Sequence, residues 1–393
     1  MVFLSAGEPC TLNVYEASFY LEPIISREVN VGHILVVEGE LGRRILQKKR
    51  KEIQRIRFNA QALPGFPMPL PTLDQVIPGS KIIVIRGGGI GDVLMLTPAI
   101  RELRRRLPED VHLSLATFKS NRLFFDRNPY LDSVIAQPVT LGELMEADYY
   151  VEFKDPASLM VRIPMIDYYL QGLGLDPQKI SDKSLVLNAE PFFDREVAAF
   201  LDRAGSSFRH MVYLNGLASD QLRDLSPELL RILPARFPDI LFVMPAIYAA
   251  RHRDHGVEIL DTHNILWLDT EESLHRYVTA LIRCDAVVTA DTSGYHIAAA
   301  LNKPCVALFG PISSRLRTTY YPTVVALDAE YHGKLCQSPC GKSILSEFKS
   351  GQVDAEQRCP EALAKGSHFS PCLASFSSEK LIHAFEEILK AIR

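Results

Sequence analysis

From Lys81 onward, short runs of β-branched and aliphatic residues alternate with stretches of helical periodicity, and the pattern is written twice. The first series is "KIIVIR", "VHLSLATF", "DSVIA" and "YYVEF"; the second is "HMVYLNG", "ILFVM", "NILWL", "DAVVTA" and "CVALFG". Strands separated by helices form parallel sheets covered by those helices. Gly, Pro, Asp and Ser cluster between the two series, in "GLGLDPQKISDKS". The expectation is an α/β protein of two Rossmann-like domains, over 81–205 and 206–376, followed by a C-terminal helix over 377–393. A chain of 393 residues has the length for about two such cores. No repeat of solenoid or propeller period is present.

Residues 1–62 read as an extension containing a strand, "HILVVEG", and a basic helix, "RRILQKKRKEIQRIR", in which eight of fifteen residues are Lys or Arg. That segment, 43–57, is a solvated helix face or a contact for anionic headgroups and phosphates. Residues 63–80 hold five prolines and read as a linker, because proline cannot continue a helix or a central strand.

In open parallel sheets ligands bind beyond the carboxyl ends of the strands, so two loops draw the eye. The first is Gly87, Gly88, Gly89, Ile90, Gly91, Asp92, between "KIIVIR" and a helix read as running from Asp92 to Leu107. It fails as a dinucleotide fingerprint, since Asp92 stands where the last glycine or alanine belongs, and as a P-loop, since no Gly-Lys-Ser/Thr follows. Neither a nicotinamide nor a flavin cofactor is expected. Gly88, Gly89 and Gly91 still permit close approach of a ligand to the backbone. Asp92 has two compatible readings, helix cap and general base.

The second loop is Asp291, Thr292, Ser293, Gly294, followed at once by a helix of small residues carrying His296. Exposed backbone N–H groups and two hydroxyls there suit a diphosphate, although a capped helix packed on its sheet needs no ligand.

A formal net charge of −4 shows no global affinity for nucleic acid. No apolar run reaches the ~18 residues that span a bilayer, and the N-terminus lacks the basic start of a signal peptide. A cytoplasmic protein is expected, with peripheral attachment to the inner face of the membrane through 43–57 left open, as is homo-oligomerisation. Of seven cysteines, Cys284 and Cys305 lie in apolar runs and read as buried thiols. Cys336, Cys340, Cys359 and Cys372 fall in a loop-like region, 331–375, spaced by three, 18 and 12 residues. The spacing favours a structural four-cysteine zinc or iron site over four free thiols.

"IRGGGIGDVLMLTPAIRELRRRLP", "NPYLDSVI" and "ADTSGYHIAAALNKPCVALFGP" together resemble glycosyltransferase family 9, the ADP-heptose:lipopolysaccharide heptosyltransferases. The resemblance covers roughly residues 81–390. It implies a GT-B architecture, two Rossmann-like domains facing a cleft, and inverting transfer of a sugar from a nucleotide-sugar donor, with ADP-heptose favoured. The acceptor is a glycan, lipid-linked or protein hydroxyl. It places Asp92 as the catalytic base and Asp291, Thr292, Ser293, Gly294 and His296 around the donor diphosphate. Asn215 and Gly216 match the loop after the first strand of the donor domain, and Arg223 falls near a phosphate-binding cation. Related protein-modifying heptosyltransferases hold iron with the corresponding cysteines. Two departures stand out: Ser293-Gly294 replaces the usual Gly-Pro, and no acid for the donor ribose follows "ILFVM". The N-terminal piece lies outside the resemblance and does not look like the N-terminal domain of an autotransporter heptosyltransferase. Within the same fold a protein O-heptosyltransferase, or a nucleotide-sugar epimerase or hydrolase, is the alternative.

Overall fold

The computed structural model describes residues 2–6, 10–14, 25–29, 33–37, 45–46, 52–56, 63–153, 162–219, 221–253, 262–270, 273–341 and 359–392. The chain forms two compact units, Met1–Pro156 with Met165–Asn188, and Ala157–Pro164 with Ala189–Arg393.

The strands of the first unit are β1 (Val2–Ala6), β2 (Cys10–Val14), β3 (Ile25–Val29), β4 (Ile34–Val37), β5 (Ile53–Ile56), β6 (Met68–Pro69), β7 (Lys81–Ile85), β8 (His112–Thr117), β9 (Ser133–Ala136), β10 (Val139–Thr140) and β11 (Tyr149–Glu152). Its main sheet is parallel, in the order β6-β11-β7-β8-β9. Strand β7 is buried from Ile82 to Ile85, as its unbroken apolar run demands. The strand order reverses between β7 and β11, so the glycine turn that follows β7 opens at a switch point, where such sheets bind ligands.

The N-terminal residues, joined by β10, build an antiparallel sheet, β10-β4-β1-β5, and β2 and β3 pair separately. The basic segment departs from the helix read in the sequence. Ile45 and Leu46 are helical, but Ile53–Ile56 is a strand paired antiparallel with β1. Ile53 is buried while Gln54 and Arg55 are exposed, so pairing with β1 outweighs the helical propensity of the lysines and arginines. Positions 43–44, 47–51 and 57 lie outside the described residues. The proline-rich stretch also differs from a bare linker: Met68–Pro69 adds an edge strand beside β11. An edge tolerates proline because the missing N–H need not join a ladder.

The second unit has β12 (His210–Asn215), β13 (Ile240–Pro245), β14 (Ile265–Leu268), β15 (Ala286–Ala290), β16 (Cys305–Phe309) and β17 (Val324–Asp328), in the all-parallel order β14-β13-β12-β15-β16-β17. In chain order this is 3-2-1-4-5-6, the doubly wound nucleotide-binding arrangement. Ser226 caps the helix Pro227–Arg236 by accepting from the Leu229 N–H, with proline at the first position. The helix Leu274–Arg283 is capped by Ser273, whose side chain accepts from the Arg276 N–H.

Helix Arg195–Gly205, which the sequence assigns to the N-terminal domain, belongs to the second unit. Its buried Val197, Ala198 and Leu201 form one stripe, and the helix packs on Leu274–Arg283. Its cap residue Asp194 donates its N–H to Thr279 Oγ1 at 2.9 Å. Burying such a Leu or Val contributes about 1.5–3 kcal/mol, enough to hold the helix in the second unit, on the other side of the limit at 205 read in the sequence.

Candidate functional site

In the first unit Arg86 follows directly on β7 and is 1% exposed. A buried guanidinium needs partners, and Arg86 has them. Its Nε donates to the Tyr169 hydroxyl at 2.9 Å, and Nη2 lies 3.6 Å from Asp92 Oδ1. The helix begins at Ile90 with Gly89 as its cap, so Asp92 is the third helical residue rather than the cap. From there Oδ2 accepts the Gly89 N–H at 3.0 Å, the reach-back bond of a capping box, and the charge stands in the first turn, where the helix dipole favours it. The Asp92 side chain is 28% exposed: held by two partners, it still meets solvent.

The turn itself is constrained at Gly88, whose φ of +104° suits glycine and where a Cβ would approach Asp92 Oδ2 to 2.8 Å. A Cβ at Gly87 would stand 2.5 Å from the Phe118 ring, and Asn121 Nδ2 donates to the Gly88 carbonyl at 2.9 Å. Gly91 lies in the first turn of the helix. The structure thus brings Gly88, Gly89 and Asp92 together and adds Arg86, Phe118, Asn121 and Tyr169, which the sequence reading missed. The legible signal was Arg86, a charged residue closing an otherwise apolar strand.

In the second unit the switch point falls between β12, which ends in a polar residue, and β15, which is followed by one, Asp291. Asn215 closes β12, and its Nδ2 donates to Thr292 Oγ1 at 3.4 Å. Thr292 caps the helix Ser293–Ala300 by accepting from the Gly294 N–H at 3.1 Å. Gly216 lets the chain turn against the helix Pro227–Arg236, since a Cβ there would meet Leu230 at 2.6 Å. Arg223 clamps the loop: Nη1 donates to the Asp291 carbonyl at 2.7 Å and lies 3.3 Å from its Oδ2, while Nη2 donates to Ser219 Oγ. Asp291, 4% exposed, also accepts from the Tyr295 hydroxyl at 2.9 Å. Ser293 Oγ shares a hydrogen bond of 2.9 Å with the Tyr277 hydroxyl. Burial pushes the Tyr277 phenol up to about 12, against hydrogen bonds from Ser293 and Thr292 that pull it down, so it stays protonated.

His296 departs from the sequence reading. Its ring is not at the surface of the turn but 3% exposed, with Nδ1 at 2.8 Å from the Tyr321 hydroxyl. Burial, then the Arg317 and Arg223 guanidinium groups, hold its pKa well below the ordinary value, so the ring is neutral.

Cys336, Cys340, Cys359 and Cys372 line one cavity, together with Leu222, Pro311, Tyr331 and Glu361. None is in a disulfide. The Cys372 thiol is pushed up to about 12 by burial and then by Cys340 and Cys359. Glu361, 3% exposed, accepts the Leu335 N–H at 2.5 Å and the Tyr331 hydroxyl at 3.1 Å, tying the Cys336 loop to the helix Pro360–Lys365 capped by Cys359. The donor set is that of a tetrathiolate site, yet among the described residues no three His, Cys, Asp or Glu stand in a metal-holding group. Residues 342–358, between the second and third cysteines, lie outside the described residues. Cys284 and Cys305 are fully buried, and burial raises both thiols.

With this geometry in place, residues 257–341 match the family described as glycosyltransferase family 9 (heptosyltransferase). A stretch of 92 residues is 36% identical to lipopolysaccharide heptosyltransferase 2 of Escherichia coli strain K12, covering 21% of this chain and 26% of that relative, so the chain spans about a quarter of its length. The structure of E. coli ADP-heptose lps heptosyltransferase II superposes with a TM-score of 0.55 at 16% identity, over 79% of this chain and 99% of that one. The bacterial iron-containing dodecameric glycosyltransferase TibC from enterotoxigenic E. coli H10407 gives 0.52 at 12% identity, over 100% of this chain and 92% of that one. The resemblance to glycosyltransferase family 9 therefore stands, and the fold is the α/β, GT-B type of two Rossmann-like units. The likeness in fold to TibC runs over the whole chain. Among the described residues no helix is long and apolar enough to cross a membrane.

Proposed function

We propose that the protein is an inverting glycosyltransferase that moves a heptose from ADP-heptose to a hydroxyl of a lipopolysaccharide-type glycan. The observation that carries this reading is the turn Asp291–Gly294. It lies at the strand-order reversal of a 3-2-1-4-5-6 sheet, with N–H groups and hydroxyls at a helix start and two guanidinium groups close by. Such a site stabilises the charge that gathers on a departing diphosphate. Arg223 keeps Asp291 in place, and Thr292 and Ser293 supply hydroxyls.

On the acceptor side Asp92 takes the proton of the attacking hydroxyl. A carboxylate is a weak base for an alcohol, but the hydroxyl acidifies as its bond to the anomeric carbon forms, so late transfer is sufficient. The new bond forms on the face opposite the leaving ADP, through a transition state with oxocarbenium character. The reading locates the enzyme in the cytoplasm, at the inner face of the membrane when the acceptor is lipid-linked. It also assigns Cys336, Cys340, Cys359 and Cys372 to a structural iron or zinc ion. Four thiolates leave no open coordination position, so that ion would pin a loop.

The test uses ADP, UDP and GDP with the intact protein. ADP is expected to raise the melting temperature most, and preference for UDP or GDP overturns the donor assignment. Asp92→Asn keeps an acceptor for the Gly89 N–H and is expected to cut transfer by about 10²- to 10⁴-fold with ADP binding retained. Asp92→Ala is the poorer probe, because it also removes the acceptor of the Gly89 N–H and with it the reach-back bond of the turn. Donor turnover without any acceptor would mark an epimerase or hydrolase instead, and transfer to a polypeptide a protein O-heptosyltransferase.

A further inference from the structure

We propose that Asn121 and Phe118 are positioning residues for Asp92, and that through them the N-terminal strands are a working part of the acceptor-side turn. The inference deepens the role given to Asp92 and rests on that reading. The carbonyl of Gly88 and the N–H of Gly89 belong to one peptide group. Asn121 Nδ2 holds its oxygen end at 2.9 Å, and Asp92 Oδ2 holds its N–H end at 3.0 Å. A peptide unit is planar and trans, so fixing the carbonyl aims the N–H. Donation to the oxygen also polarises the group, making the N–H a stronger donor to the carboxylate. The left-handed φ of Gly88 leaves the peptide without a helical or sheet ladder to hold it, and Asn121 supplies the hold.

Asn121 is itself fixed from the N-terminal side. It is 2% exposed and sits in a 3-10 helix, Lys119–Phe125, that packs against β3. Phe118, immediately before that helix, is buried in one hydrophobic cluster with Leu4, Leu12, Val29, Leu35 and Ile53, all from the N-terminal strands. The same ring closes on Gly87 so tightly that a Cβ there has no room. The N-terminal core therefore sets Phe118, Phe118 sets Gly87, and Asn121 sets the next peptide but one, on which Asp92 rests.

The test separates position from bulk. Asn121→Asp is nearly isosteric but turns a donor into a charged acceptor facing a carbonyl. It is expected to speed hydrogen exchange at the Gly89 amide by about tenfold or more, with exchange in β12–β17 unchanged. For transfer, kcat is expected to fall about five- to tenfold while KM for the nucleotide-sugar and ADP affinity hold. If Asn121→Asp fails to fold, Asn121→Ala, which removes the donor without adding charge, is read by the same exchange rate. The second arm is a pair: Gly87→Ala is expected to be damaging in the wild-type background and relieved by Phe118→Ala. Wild-type exchange at Gly89 in the asparagine variants overturns the proposal, as does equal damage from Gly87→Ala with and without Phe118. Exchange is read without any substrate, so failure of the glycosyltransferase reading leaves this result standing on its own.

Discussion

His296 shows how a motif residue can be right in place and different in task. A histidine four residues past Thr292 reads as a phosphate ligand, but the fold turns it inward onto Tyr321 beside two guanidinium groups. Its native pKa is depressed, so between that value and the unfolded value of about 6.5 the unfolded chain binds a proton that the native chain does not. Stability therefore falls as pH drops below about 6.5, with a slope of at most about 1.4 kcal/mol per pH unit from this group. Melting curves across that range are expected to slope less in His296→Gln; an unchanged slope would show that other groups carry it. The residue types and their spacing in both turns were legible in the sequence. The direction in which each side chain points was not, because it depends on Arg317, Tyr321, Asn121 and Phe118, distant in the chain or outside the motifs.

The strands of both Rossmann-like units were readable because unbroken apolar runs such as "KIIVI" and "CVALF" have few other uses. At Ile53–Ile56 the helix read over the basic stretch gives way to a strand, because its charges suit a solvated helix equally well and only the ladder with β1 decides. The cysteine segment is the other element whose sequence says more than its local geometry. The loop carrying Cys336 and Cys340 is latched by Glu361 to the short helix behind Cys359. A metal there would clamp the two together. Elemental analysis of the purified protein is expected to find about one iron or zinc per chain, lost in Cys359→Ser together with exchange protection of Pro360–Lys365. A metal-free wild-type protein that keeps that protection would refute the site.

At the scale of the molecule, the count of two α/β units was legible, and their limits were not. The helix Arg195–Gly205 follows a loop that looks like an internal break, yet its buried face and its cap both bind it to the second unit. The N-terminal residues show the converse, a segment that composition sets apart and packing includes. Leu35 is fully buried in the core that also holds Phe118. Leu35→Ala is expected to cost about 2–5 kcal/mol. Exchange protection should fall in β7–β9 as well as in β1–β5 and stay unchanged in β12–β17; a loss confined to β1–β5 would mean that the sheet is an independent appendage. The sheet order β10-β4-β1-β5 has one more consequence. During translation β4 emerges from the ribosome long before Val139 and Thr140, so its outer rim stays bare until then and is open to self-association. A nascent chain stalled after residue 62 is accordingly a natural client for chaperones, and that fragment expressed alone should aggregate.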